Sequence, residues 1–177
     1  WNIQYFINDG NSTKILDILK ELTRNRDNFI ILLQEIKGKT KNNDLSERFY
    51  PLIAKLKEEY SDVNSKVAGF QATIFNCPKL TFCKEIYIKR CNTENGCRII
   101  DYEAQLDSEK YSSLLVIFSV NKEDKSLEKE FLLVNNVHLV SPGTKIYNQS
   151  RFIEFNHIIS RNRKILEEER LSNDNHS

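Results

Sequence analysis

Apolar residues follow two different periods along this chain, and the change of period separates helices from strands. The continuous apolar run at 29–33, too short for a free-standing helix, predicts a strand buried on both faces. Alternation at 1–6 predicts an earlier strand, and an apolar stripe at helical spacing predicts a helix between the two. Strand, helix and strand in this order predict a βαβ unit with a right-handed crossover and parallel neighbours.

Farther along the chain the pattern predicts two more helices and a series of strands. The helices are expected at 45–60, with a kink at Pro51, and at 144–170. The strands are predicted at 67–75, 80–89, 98–102, 112–120 and 130–140. The last two strands flank a charged loop and predict an antiparallel hairpin. In the final helix, the apolar residues predicted on the inner side are Phe152, Phe155, Ile158, Ile159, Ile165 and Leu166.

Length, composition and charge narrow the class of protein. The 177 residues are 40% hydrophobic and 29% charged, which predicts one soluble, globular unit over 1–177. The succession of predicted strands and helices gives this unit the class α/β (α+β). A net charge of +1 excludes a positive potential over the whole surface that would bind long nucleic acid non-specifically. A local basic patch remains compatible with this charge. No stretch has the roughly 18 apolar residues of a membrane span, and nothing at the start has the pattern of a signal peptide, so a cytoplasmic location is expected. A chain without Met that opens on Trp1 is expected to be a processed or partial product.

The four cysteines do not have the spacing of a metal site. Cys77, Cys83, Cys91 and Cys97 lack the short paired intervals of zinc ligands, which favours isolated thiols. Their even number leaves a disulfide open, but a reducing compartment is the preferred interpretation.

Polar residues at the ends of two predicted strands are candidates for chemistry. Glu35 follows the buried run, and because a carboxylate is costly inside an apolar core, it is expected at the strand mouth as a ligand for a hard metal. The alternative is a solvated Glu. Asn136 and His138 share one face of the strand at 130–140, where both can donate hydrogen bonds to a phosphate oxygen. The alternative for His138 is a hydrogen-bonded core histidine.

Three short blocks resemble the endonuclease/exonuclease/phosphatase (DNase I-like) superfamily, in the order and spacing of that family. The blocks are Trp-Asn-Ile at 1–3, Leu-Gln-Glu at 33–35 and Asn-Val-His-Leu at 136–139, the last with Val in place of the family's Thr. The resemblance covers residues 1 to about 160 and implies part of a four-layer α/β/β/α sandwich that binds Mg²⁺ or Mn²⁺ in a cleft. It implies these roles: Glu35 and Asn2 for the metal, His138 and Asn136 for catalysis, Gln34 and Arg151 for the substrate. For Arg151 a solvated surface residue is the alternative.

The sequence departs from this family at its C-terminal end. The Gly-Asp-x-Asn and Ser-Asp-His blocks that complete the family's site do not occur, so the chain is expected to be the N-terminal half to two thirds of such a domain without its C-terminal strands. One carboxylate and one amide form a thin ligand set for a divalent cation, and no base for water activation is left over. The chain alone is therefore expected to bind metal weakly and to turn over slowly.

Two functions follow from these observations. The first is a metal-dependent phosphodiesterase or nuclease, with DNA or RNA as the preferred substrate and small phosphoesters or lipid headgroups left open. Lys37, Lys39 and Lys41 lie in a loop that could contact a phosphate backbone, or is simply solvated. The second is a catalytically inactive half-fold that acts as a binding or assembly module, through self-association or pairing with a missing C-terminal half.

Overall fold

The computed structural model describes residues 12–36, 45–93, 96–102, 113–121, 130–139 and 145–174. The chain divides into two compact units, Trp1–Pro78 and Lys79–Ser177. The described residues form a mixed α+β structure with three helices and two antiparallel sheets. None of the described helices combines the length and the apolar character that crossing a membrane requires.

The described residues of the first unit form two helices and a three-stranded sheet. Its elements are α1 (Ser12–Thr23), β1 (Phe29–Gln34), α2 (Leu45–Lys57), β2 (Asn64–Ala68) and β3 (Gln71–Asn76). The strand order is β1-β3-β2, and both pairings are antiparallel. The strand predicted at 1–6 lies outside the described residues, so its parallel pairing with β1 stays a prediction.

One face of this sheet carries the core of the unit. Residues of α1 and α2, including the fully buried Leu19 and Phe49, pack with Leu33 of β1 and Ile74 of β3. Because side chains alternate along a strand, the remaining positions of β1 and β3 point to the other face. That face carries Gln34, and it is less apolar than the face covered by the helices.

The segment that leads into β1 is fixed by contacts with its own unit. The hydroxyl of Tyr60 donates a hydrogen bond of 2.8 Å to the carbonyl of Thr23, where α1 ends. The ring of Tyr60 packs edge-on against Phe29, with 5.2 Å between ring centroids. The amide of Asn76 donates a hydrogen bond of 2.7 Å to the carbonyl of Asp27. The start of β1 is therefore tied to both α1 and β3.

In the part of the second unit that the structure describes, four strands form one sheet and are joined by one long helix. Its elements are β4 (Leu80–Thr93), β5 (Gly96–Tyr102), β6 (Ser113–Val120), β7 (Glu130–Val137) and α3 (Lys145–Asp174). The order is β5-β4-β6-β7, with β6 in an interior position and residues 113–118 all buried. The predicted antiparallel hairpin of β6 and β7 is confirmed. Ile158 and Ile165 of α3 pack against Ile86, Ile88, Leu115 and Ile117 of the sheet.

The single strand predicted at 67–75 is wrong, because the structure has a hairpin there. A two-residue turn at Gly69 and Phe70 separates β2 from β3 and closes on the pair Ala68 and Gln71. Gly69 has a φ of 55°, which glycine adopts without a steric penalty. A positive φ at the first turn position is typical of type II′ hairpin turns. Because apolar residues lie on both sides of the turn, the sequence pattern is that of one continuous strand.

The inner side predicted for the final helix is correct for only two of its residues. Ile158 and Ile165 are buried, whereas Phe152 is 69% exposed and Phe155 is 50% exposed. Ile159 and Leu166 are also exposed, at the same side of the helix as the two Phe residues. The helix thus carries two apolar stripes, and only one of them faces the sheet. The second stripe, Phe152, Phe155, Ile159 and Leu166, is called the outer row below.

Candidate functional site

The end of β1 presents the carboxylate that the sequence singles out. Glu35 directly follows Gln34, the last residue of β1, and its side chain is half-buried, with the Oε2 atom out of contact with solvent. Its φ of 59° lies in the left-handed region, which costs a residue other than glycine about 1–2 kcal/mol. Such backbone strain is concentrated at functional positions. Glu35 therefore has the position predicted for it and a conformation that the sequence did not predict.

Contacts on both sides fix the backbone around Glu35. The preceding residue, Gln34, is paired with Gln71 of β3. The following residue, Ile36, is fully buried in the core of the unit, and its N–H donates a hydrogen bond of 3.0 Å to the carbonyl of Phe70. Glu35 is thus held between a paired strand end and an anchored apolar residue.

Sequence analysis missed a polar patch beside this position. Gln71 and Thr73 are fully buried on the face of β3 that does not contact the helices, and Gln34 lies opposite Gln71 on the same face. The half-buried Lys66 of β2 lies opposite Thr73. The signal was available, because Gln71, Thr73 and Phe75 alternate with residues of the helix-covered face. The prediction of one unbroken strand at 67–75 obscured it.

The donor atoms at this end of the sheet fit a hard cation in type. A carboxylate from Glu35 and amide oxygens from Gln34 and Gln71 belong to the oxygen class that Mg²⁺ and Mn²⁺ prefer. They supply a single negative charge. Within the described part of the chain, no group of three or more His, Cys, Asp or Glu side chains could hold a metal. Asn2, predicted as the companion of Glu35, lies outside the described residues.

The second unit carries the predicted Asn136 and His138. Val137 packs into the core beneath α3, so Asn136 alternates to the opposite face of the sheet, where it is fully buried. His138 directly follows β7 and is half-buried. Asn136 therefore lies on the sheet face opposite that of Val137.

Sequence analysis missed two further polar residues on this face, Glu85 and Tyr87 of β4. Tyr87 and Asn136 are both register partners of Leu114, and they lie on either side of it. The hydroxyl of buried Tyr87 donates a hydrogen bond of 2.8 Å to Oε1 of Glu85, two residues earlier on β4. This phenol orients a half-buried carboxylate on the same face as Asn136. Alternation of Glu85 and Tyr87 with apolar residues in β4 is the sequence signal that could have identified them.

Arg151 belongs to the helix that covers the other face of the sheet. It is half-buried near the beginning of α3, and α3 packs against the face opposite that of Asn136. Its assignment to the substrate stays a prediction, as do those of Gln34, Asn136 and His138.

The described cysteines have separate environments. Cys77 donates a hydrogen bond of 3.3 Å from its thiol to the carbonyl of Phe29, and burial raises the pKa of this thiol. Cys83 is exposed, and both of these thiols are free. In the β4–β5 ladder, Cys91 pairs with Arg98 and Cys97 with Asn92, so these two cysteines are not cross-strand partners.

Comparison with family models, with curated proteins and with solved structures gives no match for this chain. Its function is therefore inferred from its own residues and from the three short blocks that resemble the DNase I-like superfamily.

Proposed function

We propose that this chain carries part of the site of a metal-dependent phosphodiesterase or nuclease, which hydrolyses phosphorus esters with Mg²⁺ or Mn²⁺. The observation that carries the proposal is Glu35, a half-buried carboxylate that directly follows β1 and has a left-handed conformation. The strand predicted to be buried on both faces is buried only at Phe29 and Leu33 and half-buried elsewhere. Backbone strain of this kind persists where the surrounding structure fixes it, and it clusters at functional sites. The same residue closes the Leu-Gln-Glu block of the superfamily that the sequence resembles.

In this proposal each residue acts through its own chemistry. When bound, a divalent cation would supply Lewis acidity to the phosphoryl group and to water. Glu35 holds the cation together with Asn2, and the amide of Gln34 contacts the substrate. The amide of Asn136 and the imidazole of His138 donate hydrogen bonds to phosphoryl oxygens.

The substrate proposed first is nucleic acid. The nearly balanced 26 basic and 25 acidic residues favour local contacts with a few phosphates over a field that covers the molecule. Such a protein discriminates little between DNA, RNA and smaller phosphodiesters through charge alone. The three classes should therefore be assayed side by side.

The test compares Glu35→Gln with Glu59→Gln in the full chain. Hydrolysis of plasmid DNA, RNA and bis(4-nitrophenyl) phosphate is measured with and without Mg²⁺ or Mn²⁺. Glu35→Gln removes the charge that holds the cation and is expected to lower the metal-dependent rate about 100-fold. The matched control is Glu59, whose side chain is 41% exposed and whose Oε2 lies 3.4 Å from Nζ of Lys20; its amide variant should keep the rate. Metal-dependent hydrolysis that survives Glu35→Gln would contradict the proposal.

A second candidate, an assembly module without hydrolytic activity, is favoured by the outer row of α3. These four residues recur at intervals of three, four and seven, the spacing of apolar residues in helix–helix seams. The proposed occupant is the same row of a second copy of this chain. Sedimentation over a range of concentrations should then show dimers, and Phe152→Ser with Phe155→Ser should abolish them. A monomer at every concentration that hydrolyses phosphodiesters would exclude this candidate.

A further inference from the structure

We infer that the β2–β3 turn positions the Glu35 carboxylate, with Gly69 and Phe70 as positioning residues of the metal site. This inference rests on the proposed function, because it concerns the residue that holds the cation there. The role is indirect, since the turn acts through the backbone of Ile36.

The hydrogen bond from Ile36 N–H to Phe70 O is the link between turn and carboxylate. It is 3.0 Å long, and it joins the residue after Glu35 to the second residue of the turn. Ile36 is fully buried, so the chain after Glu35 cannot move outward without exposing an apolar side chain. With Gln34 paired to Gln71, the backbone on both sides of Glu35 is fixed.

This arrangement explains how a glutamate is kept at a φ of 59°. An isolated glutamate would return to the extended or right-handed region, because the left-handed conformation brings Cβ close to the following carbonyl. Such a return would change the direction of the Cα–Cβ bond and turn the carboxylate away from the proposed cation site. The link to Phe70 therefore fixes where the carboxylate points before any cation binds, which reduces the entropy lost on binding.

Gly69 in turn sets the position of the Phe70 carbonyl. Its φ of 55° lets the chain reverse in two residues between β2 and β3. A β-branched residue at this φ is a steric outlier, so Gly69→Val forces the turn to rearrange and moves the acceptor of Ile36. Asparagine tolerates a positive φ, so Gly69→Asn should preserve the turn.

The chain offers a matched control for loss of stability alone. Asn25 lies in the loop between α1 and β1 and has a φ of 60°. Among the described residues, Asn25 and Glu35 are the two non-glycine residues with a positive φ. Asn25→Val imposes the same kind of steric conflict in the same unit without touching the turn. Any effect that Gly69→Val shares with Asn25→Val is therefore a general effect of destabilisation.

The experiment measures Mn²⁺ affinity of the full chain by calorimetry, and exchange of the Ile36 amide hydrogen by NMR. Gly69→Val is expected to weaken Mn²⁺ binding about 10-fold and to speed exchange at Ile36 more than Asn25→Val does. Gly69→Asn should leave both unchanged, and Asn25→Val should leave the Mn²⁺ affinity unchanged. If Gly69→Val does not fold, Gly69→Ala imposes a milder conflict and replaces it.

The outcomes separate this inference from the proposed function. Mn²⁺ binding that Glu35→Gln abolishes and Gly69→Val leaves intact overturns the positioning role alone. Equal loss of affinity in Gly69→Val and Asn25→Val also overturns it. Wild-type protein without Mn²⁺ binding that depends on Glu35 overturns the proposed function, and the positioning role with it.

Discussion

At the scale of single residues, two buried threonines of the first unit have hydroxyl groups in opposite situations. Thr23 is 1% exposed, and its hydroxyl donates a hydrogen bond of 2.8 Å to the carbonyl of Leu19. Thr73 is 0% exposed, and its hydroxyl has no hydrogen-bond partner among the described residues. A buried polar group without a partner costs about 1–3 kcal/mol of desolvation. The hydroxyl of Thr73, in the polar patch, therefore lowers the free energy of unfolding of the protein.

Valine substitutions at the two positions should change stability in opposite directions. Thr73→Val removes an unsatisfied hydroxyl while keeping the shape of the side chain, and should raise the free energy of unfolding by about 1 kcal/mol. Thr23→Val removes a hydroxyl that is satisfied, and should lower it by about 1 kcal/mol. Urea unfolding of both variants and the wild type measures the difference. Destabilisation by Thr73→Val would mean that this hydroxyl has a partner.

At the scale of elements, α3 shows which helical residues stabilise the second unit. Ile158, on the side of α3 that packs against the sheet, is 2% exposed. Phe155, three residues earlier and in the outer row, is 50% exposed. The hydrophobic effect depends on the area removed from water, so the larger side chain contributes less here. A sequence pattern identifies both as apolar without showing which of the two stripes is covered.

Alanine substitutions should separate the two stripes of α3. Ile158→Ala should lower the free energy of unfolding by about 2–4 kcal/mol, since it removes buried methyl groups and leaves a cavity. Phe155→Ala should change it by about 0.5 kcal/mol or less, as expected for a surface position. Thermal unfolding at low protein concentration measures both values. An equal loss in the two variants would show that Phe155 is covered in solution.

The elements themselves were largely predictable, and the exceptions have physical causes. Helices α2 and α3 and the hairpin of β6 and β7 follow from hydrophobic periodicity and from the charged loop between two apolar runs. The β2–β3 hairpin was missed because the turn contains one glycine and an apolar Phe70, without the polar residues that usually mark a turn. Pairing of strands is a tertiary property that a local pattern does not contain.

At the scale of the whole molecule, the candidate site could be predicted only in part. The position of Glu35 at a strand end followed from the cost of burying a carboxylate. Its left-handed backbone did not, because the contacts around it, such as the hydrogen bond from Ile36 N–H to the carbonyl of Phe70, join residues far apart in sequence. Four polar residues were missed because their surroundings depend on the pairing of strands that are far apart in sequence. These residues are Gln71, Thr73, Glu85 and Tyr87. The four-layer sandwich and the chemistry of the site remain proposals.

The interior strand β6 has a consequence for the chain when it is not folded. Residues 113–118, Ser-Leu-Leu-Val-Ile-Phe, carry no charge and no proline, and all of them are buried between β4 and β7. Six residues of this composition form steric zippers when copies from several chains meet. The neighbouring strands therefore also keep copies of this segment apart. Heating or a core mutation in the second unit would release it, so loss of native structure there would end in aggregates instead of a reversible unfolded state.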